Sequence, residues 1–317
     1  MKPIVALPFR SQAALISDEA RQKLKDAGFD LVCNETGKTL PKDQQKAMIK
    51  DAFAIIAGTE PYNAEMISEA NNLKVIIRFG VGTDNFDLGA MREKGISVGV
   101  IANHNSVAEF ALTLMLSVIK NLPKYDSTVR DGAWTRYPMH ELNQKTIGIV
   151  GFGRIGQCLA GMLTGFNTKI LAHDPYLSDE RILACGATPV SLDELLESSD
   201  IVSLHLPSTP ETRHMINRET ISKMKNGAYI VNTSRGALVD EAALYEALTE
   251  GKLAGAALDV YEVEPVTKDN PLFSLDNIVL APHVAALSYE TNYNACMTCA
   301  DSIIRVAEGK TPIYPVL

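Results

Sequence analysis

The stretch Gly151-Phe-Gly-Arg-Ile-Gly156 constrains the fold of this chain more than any other part of the sequence. It follows an apolar run, Thr146–Val150, that is typical of a buried strand. It precedes a run with helical apolar spacing through Leu159, Met162 and Leu163. A strand that enters a Gly-x-Gly-x-x-Gly turn and continues as a helix can hold a pyrophosphate at the helix N-terminus. The sequence therefore predicts an α/β domain that binds a dinucleotide.

Each residue of this glycine loop, Gly151–Gly156, has a predicted place at the cofactor. Gly151 makes the tight turn, Gly153 lets backbone N–H groups approach the phosphates, and Gly156 lets the helix pack on the strand. Arg154 and Ile155 complete the motif and are counted with it as cofactor-binding residues. An ordinary α/β turn without a ligand is the alternative.

The next predicted strand, Lys169–His173, ends in Asp174. At this place a carboxylate accepts hydrogen bonds from the adenosine ribose hydroxyls and repels a 2′-phosphate. The following Pro175-Tyr-Leu177 contains no arginine that would neutralise such a phosphate. The sequence therefore predicts NAD rather than NADP as the cofactor.

Length and composition exclude several classes of protein. A chain of 317 residues is long enough for two domains. The net charge of -8 argues against a nucleic-acid partner, which would need a basic surface. No apolar run approaches the length of a membrane span and no signal peptide is evident, so we expect a cytoplasmic protein without a membrane partner. Histidine and cysteine spacings predict no metal, and Cys296 and Cys299 are interpreted as core packing.

The first hundred residues alternate short apolar strands with helical stretches, which predicts a parallel sheet covered on both faces. After the fourth strand comes the loop Arg78–Asn85. Within it Gly80, Val81 and Gly82 can expose N–H groups that hold a carboxylate. A plain connecting loop is the alternative.

A helix is predicted from Asn105 to Asn121, and from Phe110 to Ile119 it is apolar on nearly every face. The run Ser106–Glu109 resembles a capping box, and Pro123 is expected to end the element. We interpret this helix as the connection between two domains and as a surface that packs against a second subunit. Burial within one subunit is the alternative.

Three polar residues, Arg235, Glu264 and His283, stand where predicted strands of the second half end. Reduction of a 2-keto acid by hydride needs a cation that holds the carboxylate, which a planar arginine provides. It also needs a proton donor that titrates near neutrality, such as histidine, and a carboxylate that orients the imidazole. Taken singly, a surface arginine, a solvated glutamate and a structural histidine are alternative interpretations.

The chain resembles the D-isomer-specific 2-hydroxyacid dehydrogenase family over nearly all of its length. Four motifs carry the resemblance: 148–156, 200–210, 224–236 and 280–283. The resemblance implies that Arg235, Glu264 and His283 are catalytic and that Gly80-Val81-Gly82 holds the substrate carboxylate. It further implies that four residues line the nicotinamide and ribose, namely Pro207, Thr209, Thr233 and Asp259.

The resemblance also implies an architecture of two doubly wound parallel-sheet domains. A Rossmann NAD-binding domain, residues 100–285, is inserted into a flavodoxin-like substrate domain, residues 1–99 and 286–317. The helix after Asn105 takes the place of the family's dimer element, so a homodimer is expected.

Within the family the chain looks most like the phosphoglycerate dehydrogenases of serine biosynthesis, in a short form. Serine feedback through a C-terminal regulatory domain is therefore not expected. The predicted substrate is 3-phosphoglycerate, with Arg78 and Arg136 as phosphate contacts. Val81 stands where those relatives often carry a hydroxyl residue, so hydroxypyruvate or glyoxylate reduction is the alternative. A distant alternative is an NADH-sensing corepressor that shares the fold and the three polar residues.

Overall fold

A computed structural model describes residues 2–8, 16–101 and 104–317. The chain divides into two compact units. We call residues 1–103 with 286–317 the split unit and residues 104–285 the inserted unit.

The split unit is built on a parallel sheet of five strands in the order β2-β1-β3-β4-β5. Its strands are β1 Ile4–Leu7, β2 Asp30–Cys33, β3 Ala52–Ala57, β4 Val75–Arg78 and β5 Ser97–Val100. Its first helices are α1 Asp18–Asp26, α2 Lys42–Ile49, α3 Ala64–Ile67 and α4 Leu88–Glu93. Apolar cores cover both sheet faces, as a parallel sheet requires, because its crossover helices lie on both sides.

The inserted unit contains a parallel sheet of seven strands in the order β12-β11-β10-β9-β6-β7-β8. These strands are β6 Thr146–Val150, β7 Lys169–His173, β8 Thr188–Pro189, β9 Ile201–Leu204, β10 Ala228–Asn232, β11 Leu253–Leu258 and β12 Ile278–Leu280. Its helices are α5 His104–Ile119, α6 Leu122–Arg130, α7 Arg154–Leu163, α8 Asp179–Ala184, α9 Leu192–Ser198, α10 Arg218–Lys223 and α11 Glu241–Thr249. The strand order reverses between β6 and β9, which marks the crevice where doubly wound sheets bind ligands. The predicted fold class is confirmed.

The last helix, α12 Tyr289–Ala307, belongs to the split unit. Its apolar face lies in the same core as β1 and β4. Cys296 and Cys299 are fully buried on this face and belong to that core, so the prediction that they serve packing is confirmed.

Two local predictions around α5 were wrong. Ser106 does not cap the helix, because α5 already begins at His104 and the Ser106 hydroxyl donates instead to the carbonyl of Ala285 at 2.7 Å. Pro123 does not stop helical structure, because it occupies the first turn of α6. There a missing N–H is harmless and the restricted φ of proline suits a helix.

Helix α5 is covered on one face by its own unit. Ala108, Ala111, Leu114 and Met115 are buried against α7 and the sheet, whereas Phe110 stays partly exposed. Within the described residues no single helix is long and apolar enough to cross a membrane. The bent pair α5 and α6, which meet at 63°, passes that test by length and composition only.

Candidate active site

The predicted cofactor and catalytic residues of the inserted unit follow β6, β7, β9, β10, β11 and β12, in the loops or, for Arg154, Ile155 and Gly156, at the start of α7. Since these strands are parallel, all of these loops leave the sheet at its carboxyl edge.

The glycine loop has no room for side chains at two of its three glycines. Gly151 has φ +86°, and a Cβ on it would lie 2.5 Å from the carbonyl oxygen of His205. A Cβ on Gly156 would lie 2.5 Å from the carbonyl oxygen of Gly151. A Cβ on Gly153, in contrast, would meet no atom of the described residues within 4 Å. Gly151 and Gly156 therefore serve the fold, while Gly153 leaves open space beside the backbone.

The N-terminus of α7 borders this open space. The helix begins at Arg154 and Ile155, and among the described residues no side chain caps it. The first N–H groups of a helix lack partners within the helix and attract anions. The open space and the uncapped helix together fit the pyrophosphate of a dinucleotide.

Asp174 is held at the edge of the glycine loop. Its Oδ2 accepts the N–H of Phe152 at 2.8 Å and its Oδ1 accepts the N–H of Tyr176 at 3.0 Å. Each carboxylate oxygen can accept a further bond. The carboxylate is therefore oriented and still able to bind ribose hydroxyls.

The predicted nicotinamide-side residues lie in the loops after β9 and β10. Thr209 donates its N–H to the hydroxyl of Thr212 at 2.7 Å, and that hydroxyl donates to the carbonyl of Pro207 at 2.9 Å. The Thr233 hydroxyl oxygen is buried and has no hydrogen-bond partner in the described part of the chain. Because buried polar groups are rarely left unpaired, this hydroxyl also fits a bound cofactor.

Arg235, Glu264 and His283, called the polar trio below, come together in the structure. His283 Nδ1 lies 2.7 Å from Glu264 Oε2, and Glu264 Oε1 accepts the N–H of Tyr261 at 3.0 Å. Burial raises the pKa of Glu264, but the hydrogen bond and charge of His283, with that of Arg235, outweigh it and hold the pKa below its usual value. Glu264 is therefore ionised at neutral pH.

The backbone at His283 is fixed from below by Asp259. His283 has φ +57°, a left-handed conformation that few residues other than glycine adopt, and it donates its N–H to the Asp259 carbonyl at 2.8 Å. The Asp259 carboxylate accepts the N–H groups of Val284 and Ala285 at 2.8 and 2.9 Å. Burial raises the pKa of Asp259 against the lowering effect of these bonds. The sequence did not indicate that Asp259 shapes the turn that presents His283.

Two other histidines near the sheet do not join the trio. Burial lowers the pKa of His205 to about 4, so this imidazole is neutral near pH 7. Its Nε2 lies 2.8 Å from the hydroxyl of Ser203. His173 Nδ1 lies 3.1 Å from the carbonyl of Val190. Both side chains are engaged in local structure.

Sequence reasoning missed His214 and Glu262. His214 Nε2 lies 3.0 Å from Glu262 Oε2. The two residues stand in different loops, and no local pattern in the sequence connects them.

The predicted substrate residues outside the trio have local contacts. In the split unit, Arg78 Nη1 donates to the carbonyl of Phe79 at 2.9 Å, and its guanidinium lies against Gly80. The side chain of Val81 in the adjoining loop is 42% exposed. In the inserted unit, Arg136 is exposed and lies 5.9 Å from the ring centroid of Trp134.

Gly80 in the split-unit loop differs from Gly153 in the glycine loop, because a side chain already lies where its Cβ would project. A Cβ on Gly80 would lie 2.9 Å from the Arg78 guanidinium. Gly82 follows Val81, whose side chain is exposed.

No cluster of three or more potential metal ligands occurs in residues 2–8, 16–101 and 104–317.

A family model and a curated relative both match this chain. The family model described as D-isomer specific 2-hydroxyacid dehydrogenase, NAD binding domain, matches residues 112–285. D-3-phosphoglycerate dehydrogenase of Archaeoglobus fulgidus is 40% identical over 313 residues, covering 98% of this chain and 58% of that protein. The chain thus spans little more than half the length of that relative.

Two further proteins match along nearly their full lengths. Glyoxylate reductase of Thermofilum pendens is 40% identical over 313 residues, covering 94% of this chain and 91% of that protein. The crystal structure of TT0316 protein from Thermus thermophilus has a TM-score of 0.90 at 34% identity, covering 99% of this chain and 100% of that one. With its NAD-binding domain matched and its whole length aligned, the chain belongs to the D-isomer specific 2-hydroxyacid dehydrogenase family.

Proposed function

We propose that the chain is an NAD-dependent oxidoreductase that acts on D-2-hydroxy acids and the corresponding 2-keto acids. The observation that carries this proposal is the 2.7 Å pair of His283 and Glu264 beside Arg235, at the sheet edge that also carries the glycine loop. In this proposal the inserted unit holds the cofactor, and the Gly80–Gly82 loop of the split unit holds the substrate carboxylate.

The side chains of the polar trio have separate tasks. Arg235 binds the substrate carboxylate and polarises the keto group through charge-assisted hydrogen bonds. Since His283 Nδ1 is engaged by Glu264, the Nε2 atom is the one that exchanges a proton with the substrate oxygen. Ionised Glu264 orients the imidazole and favours its cationic form. Bound NAD(H) supplies or accepts the hydride at the substrate carbon.

Substitutions in the glycine loop test the cofactor proposal. Gly153→Ala is expected to leave the urea midpoint of the free protein unchanged, because its Cβ meets open space. It should weaken NADH binding about tenfold or more, because the methyl group would stand where the phosphates approach the backbone. Fluorescence titration with NADH measures the affinity.

The matched control is Gly156→Ala, whose Cβ would lie 2.5 Å from a backbone carbonyl oxygen. It should lower the urea midpoint itself. Undiminished NADH affinity in Gly153→Ala would contradict the assignment of this loop.

The candidate substrates are of two kinds, which differ in whether the third carbon carries a phosphate. 3-Phosphoglycerate remains the proposed substrate, on the identity to the phosphoglycerate dehydrogenase and on exposed Arg136 as a phosphate contact. The enzyme would then serve serine biosynthesis. One observation favours a small unphosphorylated acid, such as hydroxypyruvate or glyoxylate, as the second candidate. The Arg78 guanidinium is turned back onto Phe79 and Gly80 of its own chain.

A comparison of kcat/KM for 3-phosphohydroxypyruvate, hydroxypyruvate and glyoxylate tests the substrate. A phosphate contact should favour the phosphorylated acid by about tenfold or more, and Arg136→Ala should abolish that advantage selectively. Arg130→Ala, which removes an exposed arginine from nearby α6, is the matched control. Parallel assays with NADH and NADPH test the preference expected from Asp174. Equal kcat/KM values for all three acids in the wild type would exclude the phosphate contact.

We also propose a homodimer that forms through α5, α6 and the segment after α6. Helix α6 has no buried residue, and Val129, Trp134 and Met139 are 60, 78 and 50% exposed. Apolar side chains gathered on one surface are typical of a protein interface. Sedimentation velocity at micromolar concentration should show a dimer that Trp134→Glu converts to a monomer. The control Tyr289→Glu, at an even more exposed ring of α12, should stay dimeric. A wild-type monomer would refute the interface.

A further inference from the structure

The loop that carries Glu264 is held by side chains that have no task in the chemistry proposed above. His214 Nε2 lies 3.0 Å from Glu262 Oε2, and Arg213 Nη2 lies 3.9 Å from the same oxygen. The second oxygen, Glu262 Oε1, accepts the N–H of Glu241 at 2.9 Å. In return the Glu262 N–H donates to Glu241 Oε1 at 2.7 Å. Glu262 is therefore held through both carboxylate oxygens and through its backbone.

These contacts join three loops at the carboxyl edge of the inserted sheet. His214 lies in the loop after β9, Glu241 begins α11 after β10, and Glu262 lies in the loop after β11. Asn270 donates its side-chain N–H to Glu241 Oε2 at 2.8 Å. Glu241 therefore holds the chain on both sides of Glu264.

The backbone of His214 is itself fixed. It has φ +50°, donates its N–H to the carbonyl of Ala237 at 2.8 Å, and accepts the side-chain N–H of Asn217 at 2.9 Å. A left-handed conformation at a residue other than glycine persists only where its surroundings hold it. The imidazole is consequently presented to Glu262 from a rigid turn.

We propose that His214 and Glu262 are positioning residues that keep the Glu264 carboxylate against His283. The inference rests on the proposed function for its kinetic consequence alone. Glu262 precedes Glu264 by two residues, so a shift of its backbone moves the carboxylate away from the imidazole. Hydrogen bonds weaken steeply with distance and angle, and small misplacements of catalytic groups are costly in rate. Besides each other, Glu264 and His283 have charge interactions nearby: Arg235 acts on Glu264, and both residues act on Asp259.

The test follows the Glu264 side-chain carboxyl by NMR as the pH is varied, in wild type, Glu262→Ala and His214→Asn. Asparagine tolerates left-handed backbone but is too short to reach Glu262. In both variants the pKa of the Glu264 carboxyl should rise, by about half a unit or more, because the hydrogen bond and charge of His283 that lower it act less well on a displaced carboxylate. The kcat for keto acid reduction should fall about tenfold while KM for NADH stays within about twofold.

Two further variants separate positioning from general stabilisation. Glu262→Gln keeps the side-chain length and the acceptor for the Glu241 N–H, so it should restore most of the lost rate. Glu246→Ala removes a glutamate of α11 that pairs with Arg218 on the surface, and it should leave the Glu264 titration unchanged.

An unchanged Glu264 titration in His214→Asn and in folded Glu262→Ala would overturn the proposal. If Glu262→Ala does not fold, His214→Asn decides by itself. Since the NMR readout needs no turnover, it decides the positioning role even if the wild type reduces no keto acid. A wild type that reduces no keto acid would refute the proposed function and leave the positioning role to be decided by NMR.

Discussion

His283→Asn is expected to lower kcat for keto acid reduction by about 10²–10⁴-fold, since the variant removes the proton donor. Asparagine can adopt the left-handed backbone found at this position, so the turn over Asp259 should survive. NADH affinity should stay within about twofold, because the glycine loop is untouched. The loss of NADH absorbance under saturating substrate measures kcat.

His140→Asn is the matched control, because His140 is an exposed histidine of the same unit. It should keep the wild-type rate. A second variant of the pair, Glu264→Gln, should be active at low pH. As the pH is raised, its activity should fall at a lower pH than the activity of the wild type does. The sign follows from the lowered pKa of Glu264, which keeps its negative charge beside His283 at neutral pH. A kcat of His283→Asn within about threefold of wild type would remove His283 from the proposed role.

Gly236→Ala is expected to destabilise the inserted unit more than Gly153→Ala or Gly156→Ala does. An added Cβ would lie 1.8 Å from the carbonyl carbon of Tyr261 and 2.5 Å from the backbone nitrogen of Glu262. Backbone atoms must therefore move, and the free energy of unfolding should fall by about 3 kcal/mol or more. Arg235 precedes Gly236 and Glu264 follows Tyr261 closely, so the trio should also lose its geometry.

Urea denaturation followed by circular dichroism measures the stability change. The matched control is Gly161→Ala, at an exposed position of α7 where an added Cβ would meet no described atom within 4 Å. That variant should be stabilised by up to about 1 kcal/mol, because alanine favours helix over glycine. A wild-type urea midpoint in Gly236→Ala would show that the close approach is not rigid.

The parts of the fold that could be predicted are those with local signals. Buried strands such as β6 and β9 are continuous apolar runs, and the glycine loop marks the turn from strand to helix. Their alternation with helices was enough to predict two parallel sheets. The same logic placed the polar trio at strand ends, although it could not measure the pairing of His283 with Glu264.

The parts that escaped prediction depend on contacts between distant residues. In the first turn of α5 the Ser106 hydroxyl bonds to the carbonyl of Ala285 instead of capping the helix, and no sequence pattern within the helix predicts that partner. Helix α6 was not predicted, because a proline such as Pro123 is common both after the end of one helix and in the first turn of the next. His214 and Glu262 likewise acquire their roles only when separate loops meet.

The bond between Ser106 and Ala285 bears on how the split unit assembles. The two segments of that unit are separated in the chain by the whole of residues 104–285. In an unfolded chain, joining them means closing a very long loop, and the entropy cost of closure rises with the logarithm of loop length. Once the inserted unit has folded, its two ends are 2.7 Å apart at Ser106 Oγ and the Ala285 oxygen.

For the split unit, the folded insertion then acts as a connection no longer than a tight turn. Folding of residues 104–285 thereby prepares the docking of α12 onto β1 and β4. The stabilities of the two units are linked through chain entropy, and the coupling free energy is the same in both directions. A substitution that unfolds the inserted unit also removes the short connection on which the split unit depends.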